Sequence, residues 1–183
     1  MSDDRPWYRE PETFIAVAAL IVSLTAVVVG IYEAKLQRAH DRAEVWPHLE
    51  IGTYTSPKGV GIILQNTGIG PAVVKSVIIT VDGKPMHNWD EALTALFRRN
   101  TSSDENYTAA NSGIRAGDKL TLVGVVSSKI PKPGFSAYGP RMNIVVCYAS
   151  VFDDAWQLTA HIWGNDEWQP VKQCGPQPKG TDF

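Results

Sequence analysis

The amino-acid sequence predicts a mainly β domain carried behind one apolar N-terminal helix. Three observations predict it: an uncharged run from Phe14 to Tyr32, a following region in which short apolar stretches alternate with turn residues, and a content of six Trp, six Tyr and five Phe beside 15 Gly and 12 Pro. β-Branched and aromatic side chains suit pleated surfaces, and Gly, Pro, Asn and Asp suit the turns between them. A length of 183 residues holds one ordinary domain and an appendage. With 17 Lys and Arg against 19 Asp and Glu, no basic excess points to a nucleic-acid backbone as partner.

The run "FIAVAALIVSLTAVVVGIY" rises about 1.5 Å per residue as a helix and so reaches roughly 28 Å, close to the hydrocarbon thickness of a bilayer. It shows no polar stripe of the kind a buried core helix carries. The preceding tail, residues 1–13, has no basic cluster, and "GIYEAKL" lacks a small-x-small cleavage site, so an uncleaved anchor over residues 14–32 is expected rather than a signal peptide. Trp7 and Tyr8 on one side and Tyr32 on the other suit the two interfaces. Arg5 and Arg9 precede the span and Lys35, Arg38 and Arg42 follow it, a slight lean towards a cytoplasmic C-terminal domain that the free amine erases. The side of a cell inner membrane on which the domain lies is left undecided.

Residues 33–45, "EAKLQRAHDRAEV", extend the helix as a solvated stem with a thin stripe at Ala34, Leu36, Ala39 and Ala43, and Pro47 stops it by restricting Trp46. The β domain then covers residues 46–169. "HLEIGTYTS" alternates as a strand and pairs through "SPKG" with "VGIILQN".

"LQNTGIGPAVVKSVIITVDGKPM" poses a choice. A dinucleotide fingerprint needs a third glycine and a helix after Gly-x-Gly, so that amides at the helix N-terminus face the pyrophosphate. Here Val73 occupies the third position and the continuation is heavily β-branched. Asn66, Gly68, Gly70 and Pro71 therefore form a structural turn between strands, with positive φ expected at the bend. The strand Ala72–Val81 puts Val73, Val77, Ile79 and Val81 on one face, with Lys75 as an exception, and "VDGKP" gives an Asp-Gly turn.

"NWDEALTALFRRN", residues 88–100, breaks the β rhythm and predicts a short helix capped by Asn88 or Asp90. Polar loops follow at Thr101–Gly113 and Ser127–Pro140, on either side of a strand from Lys119. "RMNIVVCYASVFDDAWQLTAHIW" reads as a hairpin about Asp153 and Asp154, with Ile144, Val146 and Tyr148 on one face and Val145, Cys147 and Ala149 on the other. The Pro, Gly and Lys content of residues 170–183 predicts a loose tail.

Three of these motifs carry a family resemblance: the N-x-G-x-x-x-A turn into a strand and D-G turn, "IRAGDKLTL", and "IVVCYASVFDDAWQL". From Trp46 to Trp163 the chain resembles bacterial Ig-like β-sandwiches of the cell-adhesion-related (CARDB-type) kind. The helical insert and the anchor depart from that pattern. The whole chain is also similar to short single-span bacterial proteins of unknown function in which W-P-x-L-E-I follows the anchor. The resemblance implies an Ig-like antiparallel β-sandwich of about seven strands. It also implies a binding or scaffolding role, and transfers no catalytic residue.

No catalytic, cofactor or metal site is expected from the residues. His40, His48, His87 and His161 lack ligand spacing from one another or from a cysteine. Asp153 and Asp154 suit a turn better than a carboxylate pair, and Asn100 and Asn106 stand in glycosylation sequons that matter only in a secretory pathway. Cys147 and Cys174 bridge if the compartment is oxidising and stay free thiols if it is cytoplasmic.

The expected partners are the lipid bilayer and another protein, with no nucleic acid. The expected function is a membrane-anchored protein-interaction or scaffolding module acting through the insert helix and the two loops. The alternative is a ligand-sensing subunit whose β domain controls oligomerisation of the span, with Ala19, Ser23, Ala26 and Gly30 offering small faces for a homo-oligomer.

Overall fold

A computed structural model of the protein describes residues 11–183. The tail residues Arg5, Trp7, Tyr8 and Arg9 lie outside the described residues. Helix α1 runs Pro11–Glu44, three residues earlier at its start than the apolar run, and continues without interruption through the predicted stem. Residues up to Ala43 form one unit and Glu44–Phe183 another. In the first, the span Pro11–Arg42 is long and apolar enough to cross a membrane. Its large apolar side chains, from Phe14 to Leu36, are exposed rather than packed as a core helix would be.

The second unit is mainly β, with ten strands among the described residues: β1 Leu49–Thr55, β2 Gly59–Asn66, β3 Ala72–Val81, β4 Lys84–Pro85, β5 Glu105–Asn106, β6 Gly113–Ile114, β7 Lys119–Val126, β8 Met142–Ala149, β9 Ala155–His161 and β10 Glu167–Val171. They make two antiparallel sheets, ordered β1-β2-β7-β5 and β10-β9-β8-β3-β4, with β6 also pairing β3. Leu49, Ile62, Leu64 and Val125 from the first sheet and Val77, Ile79, Val146, Tyr148 and Leu158 from the second belong to one buried apolar cluster. Each such side chain contributes about 1.5–3 kcal/mol on leaving water.

Two bulges set which residues face that cluster. β3 and β8 slip register between Val74 and Ser76, so Ala72 and Val74 point inward before the slip and Val77, Ile79 and Val81 after it. The alternation that puts Val73 on the core face is thereby corrected: Val74 is buried and Val73 only partly so. Lys75, the apparent exception, is the extra residue of the bulge, and one inserted residue flips the phase of a period-2 pattern. A second slip sets two residues of β7, Thr121 and Val123, opposite Ile63 and Ile62, leaving Leu122 as the extra one.

The sides of the two sheets are closed differently. On one side the segment 101–114 crosses from β7, where β5 pairs, to β3, where β6 pairs. On the other, side chains of the second sheet and of the loop between β9 and β10 reach the outer edge of β1: Tyr148 Oη lies 3.4 Å from Leu49 N, Trp168 Nε1 donates to Leu49 O at 2.7 Å, and Asp166 Oδ2, from the loop, accepts from Ile51 N at 3.4 Å.

Helix α2, Trp89–Phe97, has Asn88 as its N-cap, whose side chain accepts from Glu91 N. Glu91 reaches back to His87 N at 2.7 Å, which, with the His87 ring beside it, holds the Glu91 carboxyl below its ordinary range. The Asp-Gly turn has φ of 50° at Asp82 and 74° at Gly83, the positive values a tight hairpin needs. Arg141 clasps the Asp82 carboxylate and donates to Leu96 O at 2.6 Å, tying that turn to the end of α2.

The expectation of a loose C-terminal tail is corrected. Pro170 and Val171 are in β10. The Gln177 side chain accepts from Val77 N at 2.7 Å and donates to Val77 O at 3.0 Å, filling the gap that β4 and β6 leave on the edge of β3. Phe183 is buried edge-on against Trp89. Tail composition hides such a strap, because a side-chain amide imitates a strand and a single terminal aromatic supplies the anchor.

Candidate functional site

The predicted structural turn is a buried polar hub. Asn66 is fully buried; its Oδ1 accepts from Gly68 N at 3.0 Å and His48 N at 3.2 Å, and its Nδ2 donates to Gly70 O at 2.8 Å and Ile114 O at 3.0 Å. One amide thus joins the approach to β1, the turn before β3 and the β6 region, with all its hydrogen-bonding capacity used. The glycines serve a purpose other than the one expected. Neither has positive φ. A Cβ on Gly68 would lie 2.3 Å from His48 N, and one on Gly70 1.9 Å from Val45 O, so close backbone approach is what requires them. Pro71 is exposed at the exit of the turn. This turn is built around a buried amide and closely packed backbone.

Cys147 and Cys174 are joined as a disulfide between the outward face of β8 and the tail. Asp153 has φ of 62° and Asp153 N donates to Ser150 O, a left-handed turn position that Asp tolerates better than most residues. His40, Asp41 and Glu44 offer ligand atoms within 4.8 Å of one another on the exposed helix. That proximity follows from neighbouring and i,i+4 positions on α1. His161 bonds Asn143, His87 bonds Glu91, and His48 stacks on Trp168.

A cleft opens at the end of the β domain opposite the turn 67–70. One wall is the loop after β7, in which Ile130, Pro131, Pro133 and Phe135 stand beside the short helix α3, Phe135–Tyr138, and the Lys132–Pro133 bond is cis. Helix α2 supports this wall through Phe97, which meets Phe135 and Tyr138 edge-on. Thr55 and Val60 from the β1–β2 hairpin form the floor, and Trp163 from the β9–β10 loop forms the rim around about 360 Å³. The insert helix and the loop Ser127–Pro140, both expected to recognise a partner, meet here. The loop Thr101–Gly113 does not, being stitched along the sheet edges instead.

Trp163 is the residue that sequence reasoning missed. Its φ is 72° and its side chain is 54 % exposed. Left-handed backbone at a bulky residue costs on the order of 1–3 kcal/mol and persists only where its surroundings impose it. Here the indole lies against the backbone of Gly139, where a Cβ would come within 2.6 Å of Trp163 Nε1. A large apolar ring is thus held at the cleft mouth in a strained conformation. Nothing in the sequence marks it, since Trp163 follows the last alternating residues of β9 and reads as their continuation. Lys132 is the one ionisable side chain in the lining. The cleft offers shape, apolar contact and a single positive charge.

Asp166, below the rim, has its pKa raised by burial and by Glu50, against the bond from Ile51 N and the opposing pull of His161. Comparison of the chain with family models, curated proteins and solved structures found no match.

Proposed function

We propose that the protein is a single-pass membrane protein whose β domain, an Ig-like sandwich, binds a protein partner through the cleft beneath Trp163 and carries out no catalysis. The observation that supports this reading above others is the strained, exposed indole seated on Gly139 at the mouth of an apolar cleft. A large aromatic ring held half exposed at a cleft mouth suits contact with a partner. The apolar, exposed helix α1 supports an anchor in a bilayer. The Cys147–Cys174 bridge supports an oxidising compartment for the β domain, the opposite side from the slight lean of the flanking charges.

The test is co-purification of partner from solubilised membranes with the wild type, Trp163→Ala and Tyr107→Ala. Tyr107 is exposed beside β5, on the far side from β1. Loss of a stoichiometric partner in Trp163→Ala alone, with the thermal midpoint unchanged, supports the reading. Equal recovery in all three contradicts it.

A further inference from the structure

The cleft is continuous with a stretch of open sheet edge. Ser56 N donates to Gly59 O at 2.8 Å and Gly59 N to Ser56 O at 3.2 Å. In an antiparallel ladder residues alternate between exchanging both bonds and exchanging none, so this pair fixes the phase. Tyr54, opposite Gly61, is bonded to β2, whereas Thr53 and Thr55, opposite Ile62 and Val60, turn their amides and carbonyls outward from the sheet. β1 is one of the two edge strands of its sheet. Its first outward groups are occupied: Tyr148, Trp168 and Asp166 cover Leu49 and the amide of Ile51. Among the described residues no hydrogen-bond partner stands opposite Thr53 or Thr55, and Thr55 borders the cleft with Trp163 across from it.

Folded proteins block edges, because a row of free donors and acceptors templates further strands. This edge is blocked for half its length and left open where it meets an apolar cleft. We propose that β1 accepts an extended peptide segment of a partner as an added strand at Thr53–Thr55. An aliphatic side chain of that segment enters the cleft between Ile130 and Trp163, and an acidic residue beside it meets Lys132. Main-chain bonds supply affinity in such an addition, and pockets for alternate side chains supply specificity. The acidic preference follows from Lys132 being the only charge in the lining. The occupant is named on the reading that the cleft is a partner site.

The experiment uses the full chain in nanodiscs and a displayed library of random decapeptides. Thr53→Pro is the informative variant. Its outward N–H takes no part in the β1–β2 ladder, so proline removes a donor to the partner while sparing the fold, as on natural edge strands. Enrichment of peptides with an alternating pattern, an aliphatic centre and an acidic neighbour is expected. Their binding should weaken at least tenfold on Thr53→Pro, on Trp163→Ala, and on N-methylation of the peptide's alternate amides. Thr53→Pro must melt with the wild type; if it unfolds, the N-methylated peptide gives the same answer on the wild-type chain. Peptides that depend on Trp163 but ignore both Thr53→Pro and N-methylation would overturn strand addition and leave the cleft standing as a site. A library that enriches nothing would overturn both. Peptide-independent dimers that disappear in Thr53→Pro would assign the edge to a second copy, and so overturn the proposal.

Discussion

Replacing Asn66 by Ala probes the junction on which the β domain's geometry rests. The side chain is fully buried and makes four hydrogen bonds, two accepted from His48 N and Gly68 N and two donated to Gly70 O and Ile114 O. Alanine leaves four backbone groups without that partner. A buried group deprived of its bond costs about 1–3 kcal/mol, and water admitted into the space returns part of it. The sum for Asn66→Ala is about 3–5 kcal/mol, against a total stability of about 7–20 kcal/mol for a domain of this size. At about 2–5 °C per kcal/mol, the midpoint falls by roughly 10–20 °C.

The assay is thermal unfolding of the full chain in detergent, followed by tryptophan fluorescence. Asn66→Asp sharpens it. The carboxylate keeps the two acceptors but faces Gly70 O and Ile114 O with like polarity, so its loss should equal or exceed that of alanine at neutral pH. A fall of less than about 1 kcal/mol for Asn66→Ala would refute the idea that this amide joins the three segments.

Removing the Cys147–Cys174 bridge by paired Ser substitution, a span of 27 residues, should cost about 3.5 kcal/mol in the chain-entropy view. Calorimetry of the oxidised wild type and the variant measures it, and identical midpoints would contradict it. Gly70→Ala should destabilise through collision with the Val45 carbonyl, so a variant with an unchanged midpoint would refute the close-approach explanation. Asp166 has a folded pKa above its ordinary value because of burial. Its contribution to stability is therefore full below the unfolded carboxylate pKa and is lost as pH rises through the folded one. Asp166→Asn should raise the midpoint at pH 7, and that advantage should shrink as the pH falls below the ordinary carboxylate range. A variant less stable than wild type at pH 7 would show that the bond to Ile51 N outweighs the burial.

How much of this was legible in the sequence depended on whether the signal was periodic. The apolar run Phe14–Tyr32, the strand Ala72–Val81, the hairpin about Asp153 and the helix capped by Asn88 all follow from local pattern and turn chemistry, and the structure has each of them. Asn66 was legible as part of a turn but not as a hub, since Ile114 and His48 are brought to it only by tertiary structure. The face of β3 was misplaced because a bulge adds one residue that no propensity announces. The tail looked loose because its anchors are single side chains, Gln177 and Phe183, rather than a pattern. The cleft was legible in part: its loop wall was expected as a recognition surface, whereas Trp163 gained its meaning only from the backbone of Gly139.

Photo-crosslinking in intact membranes tests the central claim most directly. A benzophenone amino acid is placed at Ser136 and at Ser127, exposed residues of the cleft lining that leave Trp163 and Lys132 intact, and, as the control, at Tyr107. One shared partner band is expected at positions 136 and 127 and none at 107. An equal band at all three positions, or a band at 107 alone, would contradict it.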